Sequence, residues 1–382
     1  MKTGLYIFYS RTYSGAEIVT KRLICNNKSI KPIVLCTPGS FSDSLKEYNF
    51  KIYETQFLEP VNYYNNKVIK LICYPFALIY KSLGLSLKVI FLLKKEKIDF
   101  LHANNLFPSI YIIPLLWVRF FFRDLKIVRS HFDASFHAVN NNLGKYIWRI
   151  LIQKFDINFA ASDYTKEVML NVIKSDRIFT LYSGLESLKI DKKFTQLSPN
   201  NKNINIGIIG QIIPSKGHSL LLKALENLNQ YDFNLLIIGK KEGKYYENLL
   251  FQLETLPIKS KISFSGFFNN IDEMYENIDI VVNATSEAYA EPLGTTIIEG
   301  MAFGKIVVAS NVGGTPEIIN HEIDGFLYKP DNIKALTDTL KYIFDNLNKI
   351  DYIRENAIDK VRSKFQIEKM VTRYNYLLEN KL

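Results

Sequence analysis

Two glutamates with seven residues between them bracket a turn and a helix start in Glu291-Pro-Leu-Gly294-Thr295-Thr296-Ile-Ile-Glu299. Pro292 and Gly294 predict a tight turn that leaves the Glu291 carboxylate on a loop. A helix opening near Thr295 turns its free N–H groups and the positive end of its dipole the same way. Glu299 falls about one turn into that helix. There a carboxylate can accept two hydrogen bonds from a sugar cis-diol, as the acidic residue of dinucleotide folds does on ribose. An acid in the first turns of any helix explains Glu299 taken alone, but not the Glu-Pro-x-Gly immediately before it.

Two further loops have a related character. Ile208-Ile-Gly210-Gln211-Ile-Ile-Pro-Ser-Lys216-Gly217-His runs from an apolar strand into a helix. Gly210 lets a ligand approach the backbone, and Lys216 adds a positive charge where helix amides already favour an anion, the makings of a phosphate site. A lone lysine in such a loop is as readily a solvated one. Ser310-Asn-Val-Gly313-Gly314-Thr315-Pro316-Glu317 pairs two glycines with Thr315 as expected N-cap and proline at the first helical position. Turn chemistry accounts for this third loop by itself; its place after the Ile306–Ala309 strand sets it beside the Glu291 loop.

The elements that must hold these loops are legible as alternating apolar runs and longer helical stretches. Strands are expected at Leu5–Tyr9, Pro32–Cys36, Phe100–His102, Ile127–Arg129, Ile157–Ala160 and Ile178–Tyr182, then at Ile204–Ile209, Asn234–Ile238, Ile262–Phe264, Ile280–Asn283 and Ile306–Ala309. Continuous apolar strands separated by helices indicate parallel sheets covered on both faces. The fold class is therefore α/β, with two doubly wound Rossmann-like domains and a cleft between them. Their expected bounds are 1–190 and 191–360, the hinge lying in the polar stretch Leu188–Asn203. A last helix is expected over Val361–Leu382, with Phe365, Met370, Tyr374, Leu377 and Leu378 inward and the segment packed back on the first domain.

Composition narrows the function. The 382 residues are 47% hydrophobic and 23% charged, which excludes extended disorder, and the 18 glycines exclude a collagen-like chain. Three cysteines, none in a Cys-x-x-Cys pair, supply neither a disulfide framework nor a closed zinc site. The N-terminal ten residues turn polar too early for a secretory signal. Lys70, Lys81 and Lys88 interrupt Val68–Leu93, and Pro108, Pro114 and Arg119 interrupt Leu106–Phe122, so no membrane-spanning helix is expected. Of the net charge of +10, residues 1–190 carry 26 basic against 14 acidic side chains and the remainder 22 against 24. The excess sits in the first half, interleaved with large apolar residues from Lys81 to Lys95. That mixture favours an anionic membrane surface over nucleic acid; a core helix with solvated lysines fits it nearly as well. No Gly-x-Gly-x-x-Gly follows an expected strand, against a nicotinamide dehydrogenase. No Asp-x-Asp and no cluster with metal-ligand spacing occurs, so neither metal nor other cofactor is expected.

The run from Glu291 through Glu299-Gly-Met-Ala-x-Gly-Lys-Ile-Val-Val-Ala-Ser to Gly313-Gly-x-Pro-Glu-Ile-Ile, with Asp324-Gly-Phe-Leu-Tyr-Lys-Pro330 beyond it, resembles glycosyltransferase family 4, retaining sugar transferases of GT-B fold. Gly210–Gly217 is similar to that family's Gly-Arg-x4-Lys-Gly segment, and Ser14-Gly15-Ala16-Glu17 to its N-terminal Gly-Gly-x-Glu loop. The likeness is strong over about 204–330 and weak elsewhere. It implies that Lys216 neutralises the donor diphosphate with the amides of Gly15 and of Thr295-Thr296, lined by Gly210, Gln211 and Gly294. It further implies that Glu299 holds the nucleotide ribose, that Glu291 meets the donor sugar or the positive charge at its anomeric carbon, and that His131 is a cleft histidine, catalytic together with Glu291 and Lys216. Without the resemblance, His131 reads as a structural residue. Gln211 stands where the family usually has arginine, Ser14 replaces a glycine, and Ser183-Gly184 replaces Asn-Gly.

The implied activity is transfer of a hexosyl group from a nucleotide-diphosphate sugar to a hydroxyl of a saccharide, lipid-linked by expectation, in cell-surface polysaccharide (lipopolysaccharide or capsule) or glycolipid synthesis. The expected place is cytoplasmic and peripheral, on the inner face of the plasma membrane. A non-catalytic nucleotide-sugar-binding partner subunit and a GT-B sugar-nucleotide epimerase are the alternatives.

Overall fold

In the computed structural model the described residues are 1–9, 15–59, 67–118, 125–132, 142–186, 203–266, 268 and 270–381. They form two compact units, Met1–Gly184 with Ile367–Leu382, and Leu185–Gln366. The stretch expected to act as hinge lies outside the described residues up to 202.

The first unit carries a seven-stranded sheet, every ladder parallel. Its strands are β1 (Lys2–Ile7), β2 (Ile30–Cys36), β3 (Lys51–Glu54), β4 (Phe100–Asn104), β5 (Lys126–His131), β6 (Ile157–Ala160) and β7 (Ile178–Thr180), in the order β3-β2-β1-β4-β5-β6-β7. Every residue of β4 and β6 is buried, as strands covered on both faces require. β3 was not expected, and its sequence Lys-Ile-Tyr-Glu explains why: as an edge strand it needs only half a buried face.

The second unit carries a six-stranded parallel sheet of β8 (Ile204–Ile209), β9 (Phe233–Ile238), β10 (Ile262–Ser265), β11 (Ile280–Asn283), β12 (Ile306–Ser310) and β13 (Phe326–Tyr328). The order is β10-β9-β8-β11-β12-β13. From β8 the chain builds outward through β9 and β10, then returns to β11 on the other side. Between β8 and β11 lies the topological switch point, the place where such sheets leave a crevice for a ligand. The unexpected strand is again an edge, the three-residue β13.

The C-terminal segment is two helices rather than one. Asp351–Lys364 belongs to the second unit and Ile367–Asn380 to the first, with Phe365-Gln366 between them. Ile367, Met370, Tyr374, Leu377 and Leu378 are buried, and the Tyr374 hydroxyl lies 2.7 Å from His102 Nδ1.

His102 on β4 and His218 in the second unit are both buried, and burial lowers their pKa values to about 3 and about 4. In the unfolded chain each titrates near ~6.5. The folded state refuses a proton that the unfolded state accepts, so this stability is complete above pH ~6.5 and is lost as pH falls from there toward about 4 for His218 and about 3 for His102. Calorimetry is expected to show melting temperatures dropping across that window. His218→Gln should flatten the drop for the second unit; an unchanged pH profile in that variant would remove His218 as a cause.

Candidate functional site

The site grows from three loops at the carboxyl ends of β8, β11 and β12, which are neighbours in the second sheet. After β8, Gly210 adopts φ 146 and the stem of Lys216 passes over it, Cε lying 3.9 Å from where a Cβ would stand. Ile213 is extended, as a residue before proline prefers, and Pro214 opens the short 3-10 turn Pro214–Lys216. Gly217 follows at φ 68 and caps the helix His218–Glu226. A Cβ there would stand 2.0 Å from the Ala284 carbonyl oxygen, so only glycine lets this loop press against the end of β11. The Ser286 N–H donating to the Ser215 carbonyl ties the two loops together.

The second loop delivers Glu291. Its carboxylate Oε2 accepts from Lys216 Nζ at 2.5 Å and from Thr285 Oγ1 at 3.1 Å. Thr285 is fixed in turn, its carbonyl accepting from Ser310 Oγ at 2.7 Å. The Glu291 carbonyl accepts from the Gly314 N–H at 2.9 Å, and a Cβ on Gly313 (φ 58) would stand 2.1 Å from that same oxygen. The third loop thus clamps the backbone of the second. Gly314 is the N-cap of Thr315–Ile318; Thr315, expected to cap, is the buried first helical residue instead.

Gly294, at φ 68, caps the helix Thr295–Ala302 and sits against Glu291, whose Cγ would lie 3.5 Å from a Cβ there. Thr295 and Thr296 open that helix half-buried, with the amides of a first turn that no helical carbonyl reaches. Glu299, one turn on, is 8% exposed and accepts from the Tyr275 hydroxyl at 3.2 Å. Tyr275 is fully buried and stacks on Phe303 with centroids 4.8 Å apart.

Lys216, Glu291, Gly294, Thr295, Thr296 and Glu299 therefore belong to one loop-and-helix cluster of the second unit, and Gly210 underlies the lysine. Gln211 is exposed beside it. Gly15 and His131 belong to the first unit. Gly15 is exposed at the start of the helix Gly15–Asn26, and its neighbour Ser14 lies outside the described residues. His131 ends β5 and is fully buried, its ring edge-on to Trp148 at 4.7 Å. Tyr275, Thr285 and Ser310 were not anticipated. Tyr275 and Thr285 hold the two carboxylates and Ser310 holds Thr285, and their spacing carries no motif.

Such an arrangement suits a phosphorylated sugar. One lysine and a helix start supply positive potential beside two carboxylates able to accept from hydroxyls, all at a switch point. Residues 189–360 match the family described as glycosyl transferases group 1. The chain is similar to an uncharacterized glycosyltransferase of Methanocaldococcus jannaschii, 28% identical over 54% of this chain and 55% of that protein. It is also similar to the lipopolysaccharide core biosynthesis mannosyltransferase LpsB of Rhizobium meliloti, 25% identical over 58% of this chain and 64% of that one. The chain thus spans under two thirds of the length of each of these relatives. Among solved structures, Anabaena HepE in complex with UDP-glucose aligns with TM-score 0.79 at 18% identity, over 99% of this chain and 100% of that one. The two doubly wound units are those of the GT-B fold.

Proposed function

We propose that this protein is a retaining glycosyltransferase of family 4 type that moves a hexosyl group from a nucleotide-diphosphate sugar to a hydroxyl of a saccharide acceptor. The observation that carries the reading is the Lys216–Glu291 pair, 2.5 Å long, held by Thr285 and by the glycine clamp at the switch point. Lys216 and the amides of Thr295 and Thr296 face the diphosphate, Glu299 receives the ribose hydroxyls, and Glu291 faces the donor sugar. As the bond from the anomeric carbon to the diphosphate oxygen breaks, negative charge collects on the leaving group. A fixed lysine and helix dipole stabilise that charge more than they stabilise the bound donor. The acceptor oxygen bonds to the same face of the carbon, and its proton passes to the departing phosphate. No metal ion enters this reading. Gly15 is assigned to the donor phosphates, and His131 to catalysis, by family likeness alone. The acceptor class rests on the basic first half and on the likeness to LpsB, and suits lipid-linked saccharides of cell-surface polysaccharide synthesis at the inner face of the plasma membrane.

Differential scanning fluorimetry with UDP, GDP, ADP and their sugars tests the donor site. A ligand at a hundred times its dissociation constant adds ~2.7 kcal/mol. For a unit of this size that raises melting by roughly 5–10 °C. One base is expected to give the shift, with EDTA leaving it unchanged. No shift with any nucleotide would sink the reading, and inversion at the anomeric carbon, followed by NMR of the product, would remove its retaining part.

A further inference from the structure

From Tyr74 on, the long helix Lys67–Lys95 buries one apolar face and exposes the other. Leu85, Val89 and Leu92 enter the first unit's core with Leu101 and Ile127. The opposite side leaves Phe76, Ile79, Tyr80, Leu83, Leu87 and Phe91 exposed, with Phe76 at 71% and Leu87 at 67%. Their spacing of three and four residues aligns them in one stripe about 22 Å long. Scattered exposed apolar residues are ordinary, but a contiguous stripe of this length marks an interaction surface.

The charges beside the stripe identify the partner. No acidic residue occurs between Lys67 and Lys95. Lys88 and Lys95 run along its edge, their ammonium groups 5.9 and 5.8 Å from the Phe91 ring centre, and Lys94 is exposed at its end. Lys81 is not among them: it is buried, donating to the Glu59 carbonyl at 2.6 Å. A second copy of the chain docking through this face would set lysine rows against each other. We infer that the exposed face of Tyr74–Lys95 lies on an anionic lipid bilayer, its leucines and aromatic rings entering the acyl boundary while Lys88, Lys94 and Lys95 meet the headgroups. By length and composition Tyr74–Lys95 could also cross a membrane. The burial of its other face in the first unit's core keeps it on the surface. This inference rests on first-unit residues alone and stands whether or not the donor site is as proposed.

Vesicle flotation of the full chain tests it, using phosphatidylcholine with and without phosphatidylglycerol at about 0.05 and 0.5 M salt. The protein is expected to float only with the anionic vesicles at low salt. Leu83→Glu/Leu87→Glu should abolish flotation while circular dichroism and melting stay at wild-type values, since both side chains are exposed. Lys88→Gln/Lys95→Gln should weaken vesicle affinity by roughly thirtyfold. Wild-type protein that stays at the bottom with anionic vesicles overturns the inference, as does flotation that survives the double glutamate variant. A dimer in light scattering that this variant dissociates would also overturn it, assigning the face to a second copy.

Discussion

Lys216→Ala is expected to lower kcat/KM for sugar transfer by about 10²- to 10³-fold, the usual cost of removing one fixed donor from developing negative charge. The loss should exceed any loss of stability by a wide margin. The ammonium group is part-exposed and its partner Glu291 is on a loop, where an ion pair contributes about 1 kcal/mol or less after screening. Glu291→Gln should act differently. The amide can still accept from Thr285 and meet sugar hydroxyls, but it cannot balance positive charge at the anomeric carbon, so kcat should fall more than KM rises. Because Lys216 and Glu291 are bonded to each other, the double variant should lose less than the product of the two single losses. Steady-state kinetics of the four proteins decide the matter. Wild-type turnover in Lys216→Ala would remove the lysine from the chemistry. Nucleotide binding with no turnover in the wild-type protein, toward any saccharide hydroxyl, would favour a binding subunit instead.

How much of this was readable beforehand follows from the kind of interaction that each residue makes. The strand-loop-helix segments after β8, β11 and β12 announced themselves, because buried parallel strands are continuous apolar runs and the turns after them need glycine and proline. Local signals of that kind survive in a sequence. What did not survive were contacts made across it. Thr285 and Ser310 support Glu291 through a hydroxyl and a carbonyl, a role that any serine or threonine could be imagined to fill. Tyr275 meets Glu299 across twenty-four positions of chain. The edge strands β3 and β13 were missed because an edge needs neither length nor two apolar faces. Lys81 misled in the opposite sense: a lysine in an amphipathic helix reads as solvated, yet this one is buried and donates to the backbone carbonyls of Gln56 and Glu59. The exposed stripe of Lys67–Lys95 was half-legible, its apolar and basic composition evident and its orientation not, since both faces of that helix are apolar.

Gly313→Ala is expected to destabilise the second unit by roughly 2–4 kcal/mol and to reduce transfer by about 10²-fold or more. Two costs combine there. The backbone at φ 58 is strained for any residue with a Cβ, by about 1 kcal/mol. The new methyl would also lie 2.1 Å from the Glu291 carbonyl oxygen and 2.9 Å from its nitrogen, which are backbone atoms that cannot rotate aside. Relief requires the third loop to withdraw, breaking the Gly314 N–H bond to Glu291 and shifting the carboxylate that pairs with Lys216. Gly243→Ala separates the two costs, because Gly243 shares a positive φ of 88 but has nothing within 4 Å of the added atom. At φ 88 and ψ 163 it should lose about 1–3 kcal/mol to its own backbone strain alone and keep full activity. Chemical denaturation and kinetics on both variants make the comparison. If Gly313→Ala kept as much activity as Gly243→Ala, the clamp between the second and third loops would not be what holds Glu291 in place.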